Sequence, residues 1–189
     1  MDYPGTFTRE YNECALDYFN FRPFFASFIG KSDLVGVEVG TFEGYNSLGI
    51  CRFIPIKRLY CIDPYKKYHC VVGDYMEQFS QAQWERFYRE AQERLRDFPV
   101  EFIHESSVEG AEKVPNELDF VYLDGDHSVG GVFNDLKTWY PKVKSGGKIG
   151  GHDFLSPSVK QGLSIWMYED KRLGGEIING WNDWWIIKQ

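Results

Sequence analysis

The run Val35-Gly36-Val37-Glu38-Val39-Gly40-Thr41-Phe42-Glu43-Gly44-Tyr45-Asn46-Ser47 leaves this chain few folds to choose from. An apolar strand ends in an acid and a glycine turn, then passes into a helix start. Glycine lets a backbone come close to a ligand with no Cβ in the way, and a helix start offers N–H groups without intrahelical partners. The next apolar strand, Arg58-Leu59-Tyr60-Cys61-Ile62, closes on Asp63. A carboxylate at that strand tip can accept both hydroxyls of a ribose, as the acid about 20 residues on does in dinucleotide folds. The pattern predicts a nucleotide-type cofactor lying across the carboxyl ends of two parallel strands. Its candidate contacts are Glu38, Gly40, Thr41, Gly44, Ser47 and Asp63.

The spacing bears on which cofactor. A dinucleotide fold uses Gly-x-Gly-x-x-Gly because a pyrophosphate sits against the helix start. Here Glu38, Gly40 and Gly44 give Glu-x-Gly-x-x-x-Gly, with no third glycine in register and Glu43 placed to repel a phosphate. An acid just before the turn suits a cationic group. S-adenosylmethionine (SAM) carries an ammonium, a sulfonium and a ribose, and no phosphate. The run resembles motif I of the class I SAM-dependent methyltransferases, and Asp63 matches their ribose acid.

Strand and helix patterns alternate along the rest of the chain. The sequence predicts a helix over 8–29, broken at Pro23, then strands at 35–39, 58–62, 100–104, 118–123 and 148–151. Helices are predicted over 44–53, 75–97, from near Ser107, over 129–140 and over 156–172, with Gly146-Gly147 as the turn before the fifth strand. Two further strands, 176–178 and 184–187, flank a short turn and must pair antiparallel. Alternation of this kind gives a parallel sheet with helices on both faces. The expected fold is α/β and Rossmann-like: a seven-stranded, mostly parallel sheet with an antiparallel terminal strand. The resemblance to class I methyltransferases covers nearly the whole chain from about residue 33. Residues 1–32 are read as a helical segment packing on the sheet edge, with a lid or dimer face as alternatives, and 33–189 as the methyltransferase domain.

Size and charge narrow the partners. A chain of 189 residues is long enough for one well-buried core. Its net charge of −7 argues against nucleic acid as the main partner. No apolar stretch approaches the ~20 residues that span a membrane, and Met1-Asp2-Tyr3-Pro4 does not open a signal peptide. Cys14, Cys51, Cys61 and Cys70 have no Cys-x-x-Cys spacing, so they read as reduced thiols in a cytoplasmic protein without a zinc site.

A second chemical cluster follows strands four and five: Leu123-Asp124-Gly125-Asp126-His127-Ser128 and Gly150-Gly151-His152-Asp153-Phe154. Open α/β sheets place ligands at these strand ends. Crowded carboxylates repel unless a cation or a proton intervenes, and an oxygen-rich set suits Mg²⁺, Ca²⁺ or Mn²⁺. With Asp135-Leu136 and Trp139-Tyr140-Pro141, the cluster resembles the small-molecule O-methyltransferases related to the macrocin and aminocoumarin-sugar enzymes. That resemblance implies Asp124 and Asp153 as metal ligands and Asp126 as general base, with Asp124 also beside the cofactor. His152 stands where the family has the first Asp of an Asp-Asp pair. Nitrogen in place of oxygen favours Mn²⁺, Fe²⁺ or Zn²⁺ over Mg²⁺, or no metal. His127 or His152 can then serve as base, since an imidazole titrates near neutrality. Ordinary roles stand beside these: Asp124 capping a turn, Asp126 capping the following helix, His152 donating to a carbonyl.

Ser106 and Ser107 fall where the family contacts the adenine, with an N-cap role for Ser107 as the alternative. Tyr65, Tyr68 and His69 follow Asp63 and are candidates for the substrate mouth, and Trp181 is a candidate wall of an acceptor pocket. The expectation is a SAM-dependent methyltransferase that methylates a hydroxyl of a small molecule, with or without a divalent metal (Mg²⁺ or Mn²⁺). Related enzymes often pair as homodimers. The alternatives are an NAD(P)-dependent oxidoreductase, which lacks its third glycine here, and a non-catalytic SAM-binding or scaffold protein.

Overall fold

Apolar residues alternate along the central strands, and each set faces its own helical layer. The computed structural model describes residues 22–67, 75–169 and 176–189. The strands are β1 (Leu34–Val39), β2 (Ile56–Ile62), β3 (Val100–Ile103), β4 (Leu118–Leu123), β5 (Val143–Gly151), β6 (Ile178–Gly180) and β7 (Asp183–Ile187). They form one sheet in the order β3-β2-β1-β4-β5-β7-β6. All pairs from β3 to β5 are parallel, and β7 runs antiparallel to both β5 and β6. The expected architecture is the one observed.

The helices are α1 (Pro23–Ala26), α2 (Tyr45–Phe53), α3 (Gln81–Leu95), α4 (Ser107–Ala111), α5 (Val129–Trp139) and α6 (Pro157–Glu169). Val37, Val39, Val121, Leu123 and Ile149 pack with Leu136, Trp139, Leu163 and Trp166 on one face. Leu59, Cys61, Phe120, Tyr122 and Trp185 pack with Phe24, Phe25, Ile50 and Leu95 on the other. Full burial of a side chain such as Leu136 or Ile50 stabilises by about 1.5–3 kcal/mol. Glu38 falls on the second face, between Val37 and Val39. Among the described residues, no helix is long and apolar enough to cross a membrane.

Several expected boundaries move for local reasons. Residues 8–21 and Tyr68–Asp74 lie outside the described residues, and with them Cys14, Tyr68, His69 and Cys70. Pro23 starts α1 at its first turn, in keeping with a break at that residue. Phe24 and Phe25 lie against Phe120 and Tyr122, with ring centroids 5.0–6.2 Å apart, so this segment covers the sheet face and not its edge. The helix expected over 75–97 is a 3₁₀ turn, Tyr75–Gln78, followed by α3. Ser80 interrupts it: its N–H and hydroxyl both donate to the Gln83 side-chain oxygen, at 3.0 and 2.8 Å, a capping-box arrangement.

The fifth strand begins at Val143, not Lys148. Gly146 and Gly147 sit inside it as a bulge, with Gly146 N–H on the Lys188 carbonyl and Lys188 N–H on the Gly147 carbonyl. The first strand of the last hairpin, expected at 176–178, is Ile178–Gly180, and the second, expected at 184–187, begins at Asp183. Gly180 pairs with Asp183, and Trp181 and Asn182 make the turn, Trp181 at φ +59°.

Candidate active site

The glycine turn is tied to its neighbours on both sides. Gly40 N–H donates to the Ile62 carbonyl at 2.8 Å, and Asp124 N–H donates to the Val39 carbonyl at 2.8 Å. Gly40 has φ +87°, and a Cβ there would land on the Asp124 carbonyl oxygen. The close approach the sequence predicted is therefore first an approach of two strand ends to each other. Gly44, at φ +77°, caps α2 and lies against Ala91 and Leu95 of α3. Glu43 is also turned toward α3. Its carboxyl is pushed up to about 7 by burial and by Glu90, against Arg94 and Arg86, which weakens the phosphate repulsion read from the sequence.

Three carboxylates stand at the tips of the adjacent strands β2, β1 and β4. Glu38 is fully buried and receives hydrogen bonds from the Asn46 amide, at 2.6 Å, and the Ser47 hydroxyl. Burial outweighs both bonds and lifts its pKa to about 7. Ser47 lies beneath Glu38 and is itself fully buried, so its service to a ligand passes through Glu38. Thr41 is buried with its hydroxyl against the Cys61 thiol. Asp63 accepts from Phe42 N–H at 2.9 Å and Tyr65 N–H at 2.8 Å, one on each oxygen. A carboxylate has about four lone-pair sites, so these two bonds leave room for a ligand. Burial raises the Asp63 pKa in spite of these bonds.

Tyr65 does not line an open mouth. Its ring is buried between Tyr88 (4.7 Å) and His104 (5.6 Å), at φ +42°. Its hydroxyl has no hydrogen-bond partner among the described residues. An orphaned buried hydroxyl beside a ribose acid fits a polar ligand at this strand end, since a buried unsatisfied polar group is costly. The acids at the turn fit a cationic, phosphate-free nucleoside, and SAM is such a molecule.

The second cluster converges as the sequence predicted, with one member turned aside. The Asp124, His152 and Asp153 ligand atoms all lie within 4.8 Å of one another. His127 stands between two carboxylates, Nε2 at 3.4 Å from Asp124 and Nδ1 at 3.3 Å from Asp153. His152 Nδ1 is 3.4 Å from Asp153 and 3.9 Å from Asp124. Burial opposes the charge of Asp124, yet the His127 bond together with Arg22 and His152 holds its pKa below the usual range. Asp126 instead accepts from Ser128 N–H at 2.8 Å and packs on Gly131. The helix cap is Ser128, which accepts from Gly131 N–H at 3.0 Å. The capping role considered for Asp126 thus belongs to Ser128, because the helix starts one residue past Ser128 and not nearer the strand.

At α4, too, the cap is not the residue expected. Ser106 is its N-cap and bonds Glu109, whereas Ser107 accepts from Trp139 Nε1 at 2.8 Å and lies by Asp135. Asn182 was not singled out by the sequence. Its amide donates to Asp153 at 3.0 Å, its side-chain oxygen accepts from Leu155 N–H at 2.9 Å, and its carbonyl accepts from Phe154 N–H at 2.9 Å. It clamps the loop that carries His152 and Asp153. An Asn beside a hairpin turn was the available signal.

Residues 37–154 match a family model described as Methyltransferase domain. An uncharacterized protein of Acanthamoeba polyphaga mimivirus, R132, is 30% identical over 138 residues, which is 66% of this chain and 53% of that protein. The chain thus spans about half the length of this curated relative. Among solved structures, the O-methyltransferase NovP superposes with a TM-score of 0.62 at 18% identity, over 94% of this chain and 79% of NovP. The calicheamicin methyltransferase CalS11 gives 0.62 at 12% identity, over 96% and 80%. The Streptococcus mutans protein SMU.1697c, solved with SAH, gives 0.62 at 10% identity, over 94% and 97%. These likenesses are in fold; the match over residues 37–154, which spans the end of β1 with its turn and the Asp124–Asp153 cluster, shows that the chain belongs to the Methyltransferase domain family.

Proposed function

We propose that this chain transfers a methyl group from SAM to a hydroxyl of a small molecule, with His127 as the general base and a divalent cation held by Asp124, His152 and Asp153. The observation that carries this reading is His127 seated between Asp124 and Asp153 at the ends of β4 and β5, beside the carboxylate-lined crevice of β1 and β2. The donor would contact Glu38, the turn at Gly40 and Thr41, Asp63, and the α4 start at Ser106 and Ser107. Gly44 and Ser47 shape that surface from behind. NovP and CalS11, both methyltransferases, support the small-molecule class.

Methyl transfer needs the acceptor oxygen and the methyl carbon held in line, and that positioning can supply much of the rate. Asp153, at Nδ1, orients the His127 ring, and Nε2 takes the acceptor proton as the oxygen attacks, Asp124 being turned to the cation and away from its 3.4 Å contact with that nitrogen. Asp126 is held by Ser128 N–H and supports the loop. The two carboxylates and one imidazole suit a borderline ion such as Mn²⁺ as well as Mg²⁺. When bound, the ion would lower the pKa of the acceptor hydroxyl.

The test is production of S-adenosylhomocysteine (SAH) from SAM with a panel of catechols, sugars and hydroxylated polyketides, with Mn²⁺, Mg²⁺ or EDTA. Turnover of at least one acceptor, lost in His127→Ala, is the expected result. Titration with SAH and NAD⁺ separates the oxidoreductase alternative; binding of NAD⁺ alone would end the methyltransferase reading. SAH binding with no acceptor turned over would leave a cofactor-binding protein without catalysis.

A further inference from the structure

The first described residue brings a cation to the crevice. Arg22 Nη1 donates to the Tyr122 hydroxyl and lies 3.4 Å from Asp183 Oδ1, and its guanidinium sits 5.2 Å over the Tyr122 ring. Tyr122 in turn donates to Asp183 at 2.9 Å. Tyr122 is the register partner of Glu38 on β1 and lies two residues before Asp124. The guanidinium therefore lies between Tyr122 of β4 and Asp183 at the start of β7, across the end of β5, on the face that carries Glu38. Its side chain is 10% exposed. It acts electrostatically on Glu38 and Asp124 alike.

We propose that Arg22 binds the carboxylate of the donor's amino-acid end. This rests on the SAM reading above. That end carries an ammonium and a carboxylate on one carbon, so its site needs an acid and a cation side by side. Asp124 and Glu38 supply the acids, and Arg22 is the cation next to them. Among the described residues, Asp183 is a weak competitor. The Asp183 contact at 3.4 Å is longer than the 2.7–2.9 Å of a strong charge-assisted bond. Burial keeps the Asp183 pKa raised to about 6 even with Arg22 beside it. A planar guanidinium offers a donor array that matches a carboxylate bidentately. The residues before the sheet would then take part in holding the donor, beyond covering the apolar face.

The experiment compares two ligands that differ only at this end. SAH carries the amino acid, whereas 5′-methylthioadenosine keeps the adenosine and thioether and lacks it. Both are titrated calorimetrically into the wild type and Arg22→Met. The expected result is a loss of about tenfold or more in SAH affinity with methylthioadenosine affinity unchanged, the scale of a lost charged hydrogen bond. Unchanged SAH affinity, or an equal loss for both ligands, would assign Arg22 to packing alone and overturn the proposal. If Arg22→Met does not fold, the wild type is titrated with decarboxylated SAH. A similar tenfold preference for SAH supports the proposal, and equal affinity overturns it. Failure of the wild type to bind either SAH or methylthioadenosine would overturn the donor reading itself.

Discussion

His127 is the residue on which the proposed chemistry turns, because both of its ring nitrogens face carboxylates, at 3.4 and 3.3 Å. General-base catalysis contributes about 10²–10⁴ in rate, so His127→Ala should lower kcat by that order and leave SAH affinity intact. Asp126→Asn should keep kcat near the wild-type value, since an amide oxygen can still accept from Ser128 N–H. Rate and SAH titration on both variants check this; a loss in Asp126→Asn equal to that in His127→Ala would move the base to Asp126. The acids and imidazoles of the site were legible in the sequence because they end strands, and a strand end is a place that patterning locates. Their partners were not. Asn46 on Glu38 joins positions eight apart, and Asn182 on Asp153 joins positions 29 apart. Such pairs exist only once the turn and the β6–β7 hairpin have closed. The direction of Asp126 was hidden for a related reason, since it depends on Ser128, and not Asp126, capping the helix that starts at Val129.

At the scale of elements, the turn after β1 is the joint that holds the site. A Cβ at Gly40 would meet the Asp124 backbone, and φ +87° is strained for any other residue. Gly40→Ala should therefore push β1 and β4 apart at their tips, destabilise by about 1–3 kcal/mol or more, and abolish SAH binding. Gly130 is the matched control: it is exposed in the first turn of α5, and a Cβ added there would have nothing within 4 Å. Alanine there should stabilise by about 0.5–1 kcal/mol. Urea unfolding of the two variants, with an SAH titration, measures both effects; a Gly40→Ala protein as stable as the wild type would separate the turn from the strand junction. Five strands and most helices were legible because period-2 and period-3.6 patterns are local. The failures have local causes too. Ser80 followed by Gln83 is a capping box inside an otherwise continuous helical pattern. The Gly146-Gly147 pair reads as a turn but is paired to Lys188, a contact made by the far end of the chain.

For the molecule as a whole, the site is built from acids that burial makes reluctant to ionise. Glu38, Glu43 and Asp135 are lifted to about 7 and Asp183 to about 6, each chiefly by burial. A carboxyl whose pKa is higher folded than unfolded favours the folded state when protonated. Its contribution is complete below the unfolded value near 4 and disappears as pH rises through the folded one. Stability should therefore fall between about pH 4 and pH 7. Glu38, lifted from its ordinary 4.5 to about 7, accounts for up to about 3 kcal/mol of that change. Asp124, held low by His127 and Arg22 against its burial, titrates below this window. Lys148, lowered to about 8 by burial and by Lys31, is charged in both states over most of it. A net charge of −7 adds general repulsion of the same sign, but salt screens that component and leaves buried carboxyls largely unaffected. Urea unfolding from pH 4 to 7, at low and high salt, separates the two. The slope should persist at high salt and be reduced in Asp135→Asn, whose side chain lies by Ser107 with no charge to lose. A slope that vanishes on adding salt would mean that surface repulsion, and not the buried acids around the crevice, governs how this fold responds to pH.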